Sequence, residues 1–142
     1  MGNYTIKKCS MDDIEKIKYI SERTFFETFS EENTEEDMEN YLNENFSKIK
    51  LASEINTKGS IFYVVEEYNN VLGYMKVNFD NAQTEPDHNN SLEVQRIYIL
   101  EGYKGKGLGK RLIEKSKEIA KENNLDYVWL GVWENGSVAL AI

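Results

Sequence analysis

A glycine-rich segment between a strand pattern and a helix pattern constrains the fold of this chain more than any other feature. Residues 92–100 read as a strand, residues 102–109 have the composition of a turn, and the apolar positions of residues 108–120 recur at helical spacing. A further strand pattern covers residues 127–133. A strand, helix, strand unit requires a right-handed crossover and makes its two strands parallel. We therefore expect this half of the chain to form part of an α/β sheet.

Two helices are predicted near the start of the chain. Ser10 with Asp13 resembles a capping box, and apolar residues then recur at helical spacing as far as residue 28. A second start signal, Thr34 with Asp37, opens a short helix that reaches residue 46. The stretch from there to residue 55 is predicted to be helix or irregular turn.

The apolar period changes to two at residue 61. Residues 61–66 and 71–79 are β-branched and aromatic runs joined through Asn69 and Asn70, which is typical of a hairpin. Residues 138–142 are predicted to begin a further helix. The element order is therefore ααββ-β-α-β, and because antiparallel strands precede a parallel pair, the fold class is α/β with a mixed sheet.

The composition fits one domain that spans residues 1–142. Hydrophobic residues make up 40% of the chain and Cys9 is its single cysteine, so an internal disulfide is excluded. No segment resembles a signal peptide or reaches membrane-spanning length, so we expect a cytoplasmic protein with no membrane partner. The formal charge of −8 disfavours a nucleic-acid partner, because phosphate contacts require concentrated Lys and Arg.

The glycine-rich segment suits an anion. Unpaired amides at a helix N-terminus point into the turn, and Lys110 and Arg111 are unfavourable beside the positive helix end unless an anion compensates them. The loop does not fit a Rossmann dinucleotide-binding motif, because Lys110 stands where the third glycine is needed. It does not fit a Walker loop either, because Leu108 and Gly109 stand in place of the Lys and the Ser or Thr. The alternative is a tight turn on a solvated basic edge.

The motif Lys104-x-x-Gly107-x-Gly109 resembles the coenzyme A pyrophosphate loop of the GNAT superfamily of N-acetyltransferases. Within it, the segments TFFETF at 24–29, SLEVQRIYI at 91–99 and WLGVWE at 129–134 are most similar to the bacterial spermidine/spermine acetyltransferases of the PaiA type. The resemblance implies the acyl-CoA N-acyltransferase fold and transfer of acetyl from acetyl-CoA to a small amine, a polyamine such as spermidine or spermine. The alternatives are a protein or peptide amine as acceptor, and a catalytically silent acyl-CoA-binding regulatory module.

The resemblance also implies roles for individual residues in cofactor binding. Backbone groups of Ile97, Tyr98 and Ile99 would pair with the pantetheine arm as with an added strand, and Asn135 would hydrogen-bond that arm. The pyrophosphate would be held by the loop that follows, at Lys104, Gly105, Lys106, Gly107, Leu108, Gly109 and Lys110. No metal is implied.

For the chemistry, the resemblance gives Glu93 as general base, directly or through water, with a solvated surface glutamate as the alternative. Gln95 is expected on the same strand face. The family's leaving-group acid is a tyrosine expected just after Ile142, so the chain is expected to lack the final strands of the family fold. A homodimer, in which a partner chain completes the sheet, is left open.

The acceptor amine is expected to bind beside the segment that links the first two helices. Phe25, Glu27, Phe29 and Glu31 combine aromatic faces with carboxylates, which suits a polyamine through cation–π contacts and ion pairs. The alternative is an ordinary amphipathic helix with its rings in the core and its acids in water. His88 gives no metal signal, and Cys9 has no histidine partner.

Overall fold

The computed structural model describes residues 3–132 and 136–140. Its sheet has six strands in the order β1 to β6, with β4 and β5 parallel and every other neighbouring pair antiparallel. The strands are β1 (Tyr4–Lys8), β2 (Ser60–Glu67), β3 (Asn70–Phe79), β4 (Ser91–Ile99), β5 (Tyr127–Val132) and β6 (Gly136–Leu140). The helices are α1 (Ile14–Phe29), α2 (Glu35–Asn45), α3 (Lys48–Ile55) and α4 (Leu108–Glu122). The predicted mixed α/β fold is confirmed.

The helix start signals are confirmed by their hydrogen bonds. Ser10 and Asp13 form a complete capping box ahead of a short 3₁₀ turn that leads into α1. The Thr34 hydroxyl accepts from the Asp37 amide at 3.0 Å and caps α2, and Ser47 caps α3 in the same way. Within the described residues, no helix is both long enough and apolar enough to cross a membrane.

The hairpin is also confirmed. Tyr68 and Asn69 connect β2 to β3 with φ values of 50° and 71°. Two successive residues in the left-handed region give the turn whose twist matches that of the flanking strands. Asn69 suits this conformation because its short polar side chain tolerates positive φ.

Apolar side chains form a core on each face of the sheet. On one face α4 packs against β3, β4 and β5 through residues such as Leu108, Leu112 and Ile119. On the other face α1 and α3 cover β2 and β3 through residues such as Ile17 and Leu51. Helices therefore cover apolar side chains on both faces of the sheet.

Three features differ from the sequence-based prediction. β1 was not predicted, because its outward residues are charged or exposed and its apolar pattern is short. The ambiguous stretch after residue 46 contains a regular helix, α3. The helix predicted at residues 138–142 is wrong: β6 (Gly136–Leu140) pairs with β5 from Val128↔Leu140 to Val132↔Gly136, which gives the β5 edge backbone partners.

β4 carries a bulge that matters for the site. Lys76 of β3 pairs with Arg96, but the next residue, Val77, pairs with Val94, so Gln95 is the extra residue. Because of the bulge, each side chain after Gln95 lies on the opposite face of the sheet from the one that strict alternation along the strand would give it.

Candidate functional site

A groove opens where β4 and β5 separate. Their parallel pairing covers only Ser91–Val94 of β4, so the end of that strand has no described neighbour on the β5 side. The groove has a volume of ≈ 570 Å³ and is lined by Thr28, Ile97, Tyr98, Ile99, Tyr103, Lys104, Gly105, Gly107, Leu108, Gly109, Lys110 and Ile113. This unpaired edge is the feature that the pantetheine prediction requires.

The glycine loop forms one end of the groove. Gly105 and Gly107 both have φ +80°, and a Cβ added at Gly105, Gly107 or Gly109 would meet no atom within 4 Å. The first hydrogen bond of α4 joins the Arg111 amide to the Gly107 carbonyl at 3.1 Å, so the three preceding amides have no acceptor within the helix. Open space beside free donors and a positive helix end fits a pyrophosphate.

Most of the predicted cofactor residues come together here. Ile97, Tyr98 and Ile99 line the groove with the predicted loop residues, except that Lys106 is on the loop without lining the groove. Lys104 forms an ion pair with Glu101 at 2.9 Å. Asn135 lies outside the described residues.

A second cleft adjoins the groove on the α1 and α2 side. It has a volume of ≈ 510 Å³ and is lined by Phe25, Phe29, Asn33, Asp37, Met38, Tyr41 and Tyr98. The Phe25 ring stacks on Tyr41 with centroids 4.2 Å apart and packs against Phe29 at 4.7 Å. Tyr98 lines both the groove and the cleft, so a molecule in the cleft lies next to the groove.

The predicted acceptor residues divide into two groups. Phe25 and Phe29 line the cleft, but Glu27 and Glu31 do not. Glu27 instead accepts a hydrogen bond from the backbone amide of Glu101 at 2.9 Å, which ties α1 to the loop that precedes the glycines. Glu31 is exposed in the short turn after α1.

The carboxylate that does line the cleft is Asp37, which the sequence reasoning used only as a helix start signal. Tyr41 and the side chain of Tyr98 were missed as well. Asp37, Met38 and Tyr41 recur at the i, i+1, i+4 spacing of one helix face, so a pattern that could have revealed them was present in the sequence.

Glu93 is buried and fully hydrogen-bonded. Its Oε1 accepts from the Asn78 side-chain amide at 2.9 Å and from the Thr84 backbone amide at 2.8 Å, and its Oε2 accepts from the Thr84 hydroxyl. The alternative of a solvated glutamate is wrong, because the residue is 2% exposed. Asn78 also donates to Gln95 at 2.8 Å, so Glu93 and Gln95 do share a strand face as predicted.

A buried ionic cluster lies behind the cleft. Oε1 of Glu54 on α3 is 2.9 Å from Nζ of Lys76 and 2.8 Å from Nη1 of Arg96. Burial raises the pKa of Glu54, but the ion pairs with Arg96 and Lys76 outweigh burial and lower that pKa. For Lys76 burial dominates and lowers the pKa.

Cys9 and His88 are the other two reactive side chains that the sequence reasoning considered. Burial raises the pKa of the Cys9 thiol to about 12, which keeps it protonated and unreactive. His88 stacks on Trp129 at 3.9 Å and contacts the Tyr127 hydroxyl at 2.8 Å. Among the described residues, no group of three or more His, Cys, Asp or Glu could hold a metal ion.

Comparison with known families gives one model that covers most of the chain. Residues 14–141 match the model described as "Acetyltransferase (GNAT) family". An uncharacterised N-acetyltransferase of Lactobacillus delbrueckii subsp. lactis is 38% identical over 139 residues, 98% of this chain and 80% of the relative. A spermidine N(1)-acetyltransferase of Thermoplasma acidophilum is 24% identical over 140 residues, 96% of this chain and 82% of the relative.

Solved structures of the same fold are numerous. The crystal structure of the PaiA N-acetyltransferase of Thermoplasma acidophilum in complex with coenzyme A superposes with a TM-score of 0.77 at 22% identity. The match covers 94% of this chain and 82% of that one. An aminoglycoside acetyltransferase from a soil metagenomic sample superposes with a TM-score of 0.69 at 15% identity, over 91% of this chain and 77% of that one.

Proposed function

The chain belongs to the acetyltransferase (GNAT) family, and from that premise we propose that it transfers the acetyl group of acetyl-CoA to a small cationic amine bound in the aromatic cleft. The observation that carries this proposal is the position of Tyr98, which lines both the groove and the cleft. A donor in the groove and an amine in the cleft would therefore meet at one side chain of β4.

The groove residues supply binding and orientation. The unpaired edge at Ile97–Ile99 offers backbone donors and acceptors to the pantetheine arm, and the amides before Arg111 face the pyrophosphate. The glycines leave room for the phosphates to approach the backbone closely, because no Cβ occupies that space.

In the reaction, the neutral amine attacks the thioester carbonyl, a C–N bond forms and the C–S bond breaks. The amine loses a proton and the leaving thiolate gains one. Glu93 as the base, acting through water, stays a prediction, and its buried position behind Thr84 favours an indirect route over contact with the amine.

The acceptor class predicted from the sequence is a polyamine. Asp37 and the rings of Phe25, Phe29 and Tyr41 support a cationic acceptor, since an ammonium gains from both a carboxylate and aromatic faces. The spermidine acetyltransferase of Thermoplasma acidophilum, 24% identical, is a relative that supports the same class. Homodimer formation stays a prediction that analytical ultracentrifugation would measure.

The experiment has two steps. Calorimetric titration with acetyl-CoA should give a dissociation constant near the micromolar range, which is about −8 kcal/mol. Release of coenzyme A is then measured with spermidine, with a lysine-containing peptide and without an amine. Amine-dependent release supports the proposal, peptide-selective release favours a protein acceptor, and binding without release favours a silent binding module.

Asp37→Asn tests the assignment of the cleft, with Glu36→Gln as a matched control on the same helix turn, because Glu36 is exposed and does not line the cleft. Loss of a charge-assisted contact of about 1.5–3 kcal/mol should raise the KM for the amine roughly tenfold or more. The KM for acetyl-CoA should not change. If the two variants have the same KM for the amine, Asp37 does not contact the acceptor.

A further inference from the structure

The inner end of the acceptor cleft continues into a small cavity of ≈ 140 Å³. The cavity shares Phe25, Phe29, Tyr41 and Tyr98 with the cleft, so the two spaces adjoin. Its other lining residues are Ser21, Thr24, Phe46, Tyr74 and Arg96. Arg96 is the one charged side chain among the described residues that line it.

One nitrogen of the Arg96 guanidinium has no hydrogen bond of normal geometry among the described residues. Nη1 lies 2.8 Å from Oε1 of Glu54, but the contact lacks hydrogen-bond geometry and this buried nitrogen has no acceptor among the described residues. The guanidinium also lies 6.0 Å above the Phe46 ring. An arginine carries five N–H donors and no acceptor, and buried donors without partners are costly. Arg96 lines the cavity, so an oxygen-rich ligand there would meet a guanidinium with N–H donors.

An ionic cluster lies beside the cavity. Lys76 and Arg96 contact the same oxygen of Glu54, so two cations share one carboxylate. The next carboxylate, Glu93, already accepts three hydrogen bonds from Asn78 and Thr84. Glu93 also attracts Lys76, so two cations and two carboxylates balance in this cluster, and Arg96 is the member of the cluster that lines the cavity.

Two hydroxyls add to the donor character of the cavity. The Ser21 hydroxyl is fully buried and has no hydrogen-bond partner of normal geometry, although it lies close enough to the Tyr74 hydroxyl to lower the pKa of that phenol. Burial is the larger effect and raises the pKa of Tyr74 to about 12, so the phenol is neutral. Ser21 and Tyr74 are thus neutral donors beside the guanidinium.

We propose that the acceptor is an amine that also bears a carboxylate, and that Arg96 binds this carboxylate in the cavity that adjoins the cleft. The inference rests on the proposed acetyl transfer and narrows its acceptor from cationic amines in general to amino carboxylates. Asp37 lines the cleft and Arg96 lines the cavity that adjoins it, so the combined space has groups of opposite charge in its two parts. Spermidine has no group for the Arg96 end, so the two acceptor classes make opposite predictions.

Matched pairs of acceptors isolate the carboxylate. Lysine differs from 1,5-diaminopentane, and ornithine from 1,4-diaminobutane, by the α-carboxylate alone. For the wild-type chain we expect kcat/KM at least tenfold higher for the amino acid of each pair. Calorimetry on the protein saturated with coenzyme A should show the same preference in binding, independently of turnover.

Arg96→Gln should abolish this preference, so that each pair differs by less than about twofold, an energy below ~0.4 kcal/mol. Arg96→Lys keeps the charge and should retain part of the preference. Both variants leave the pair of Glu54 with Lys76 in place, and thermal melting checks that each is folded.

The outcomes separate the two proposals. If the diamine of each pair binds and reacts as well as the amino acid, or if the preference survives in Arg96→Gln, the inference is overturned. Acetylation of spermidine without acetylation of lysine or ornithine overturns the inference and leaves the proposed function intact. Binding of the amino acids that depends on Arg96, without release of coenzyme A from any amine, supports the carboxylate site and overturns the proposed function.

Discussion

Replacement of Gly107 should separate folding from cofactor binding. Gly107 precedes α4 with φ 80° and ψ 12°, a left-handed conformation. An L-residue with a Cβ pays about 1–2 kcal/mol there, which for a chain of this size lowers Tm by roughly 3–8 °C. The added Cβ would meet no protein atom within 4 Å, so this strain is the main folding cost of Gly107→Ala.

The cost to binding should be larger. The empty space beside Gly107 is the part of the groove in which the pyrophosphate is proposed to approach the free amides. A valine there would block one or two charge-assisted hydrogen bonds of about 1.5–3 kcal/mol each. We therefore expect Gly107→Val to weaken acetyl-CoA binding by at least ~10-fold, measured by calorimetric titration alongside thermal melting.

Two controls distinguish the causes. Gly107→Asn tolerates positive φ but still fills the groove, so it should melt near the wild-type temperature and bind weakly. Gly102→Ala places a Cβ in open space outside the groove and at a φ that is not left-handed, so it should change neither quantity. Wild-type affinity in Gly107→Val would refute the assignment of this loop to the cofactor.

Three further outcomes follow from the contacts. Glu54→Ala leaves Lys76 and Arg96 without their shared carboxylate and should lower the free energy of unfolding, measured in urea, by about 3–5 kcal/mol. Because the ion pairs lower the pKa of Glu54 in the folded state, its contribution to stability should be complete above about pH 4.3, the pKa of an unfolded glutamate. The contribution should fade as the pH falls through the lower folded pKa, which thermal melting between pH 7 and pH 3 would show. Glu27→Ala should weaken acetyl-CoA binding about 2–10-fold by freeing the loop amide, whereas Glu27→Gln keeps an acceptor and should bind normally in calorimetry. Cys9, whose pKa burial raises to about 12, should react with a thiol reagent at pH 8 only after unfolding, which a colorimetric assay follows.

Local signals explain which parts of the fold could be predicted from sequence. The capping box at Ser10 and the hairpin turn at Asn69 are set by neighbouring residues, and the structure confirms both. β6 was missed because strand formation there depends on the unpaired edge of β5, which lies outside the segment itself. The contact of Glu27 with the amide of Glu101 spans 74 residues, so helical spacing alone could not distinguish it from an acceptor contact.

The bulge in β4 was missed although the sequence contains its signal. Leu92 and Val94 face α4, and so do Ile97 and Ile99, so the apolar spacing along this strand is two, three and two. A strict period of two would place residue 96 on the α4 face instead. The spacing of three between Val94 and Ile97 is what one inserted residue produces in a strand that otherwise alternates.

This single extra residue connects the two halves of the site. With Gln95 bulged, Arg96 and Tyr98 turn away from α4 toward α1 and α3, where both line the small cavity that adjoins the aromatic cleft. The pairing of β4 with β5 ends at Val94, just before the bulge, so the free edge of the cofactor groove begins at the same point. Without the bulge, a guanidinium would point into the apolar core under α4, where burying an unpaired charge is prohibitive. The position of the aromatic cleft relative to the groove is therefore a consequence of strand register, and it brings the proposed amine site next to the groove, as the proposed acetyl transfer requires.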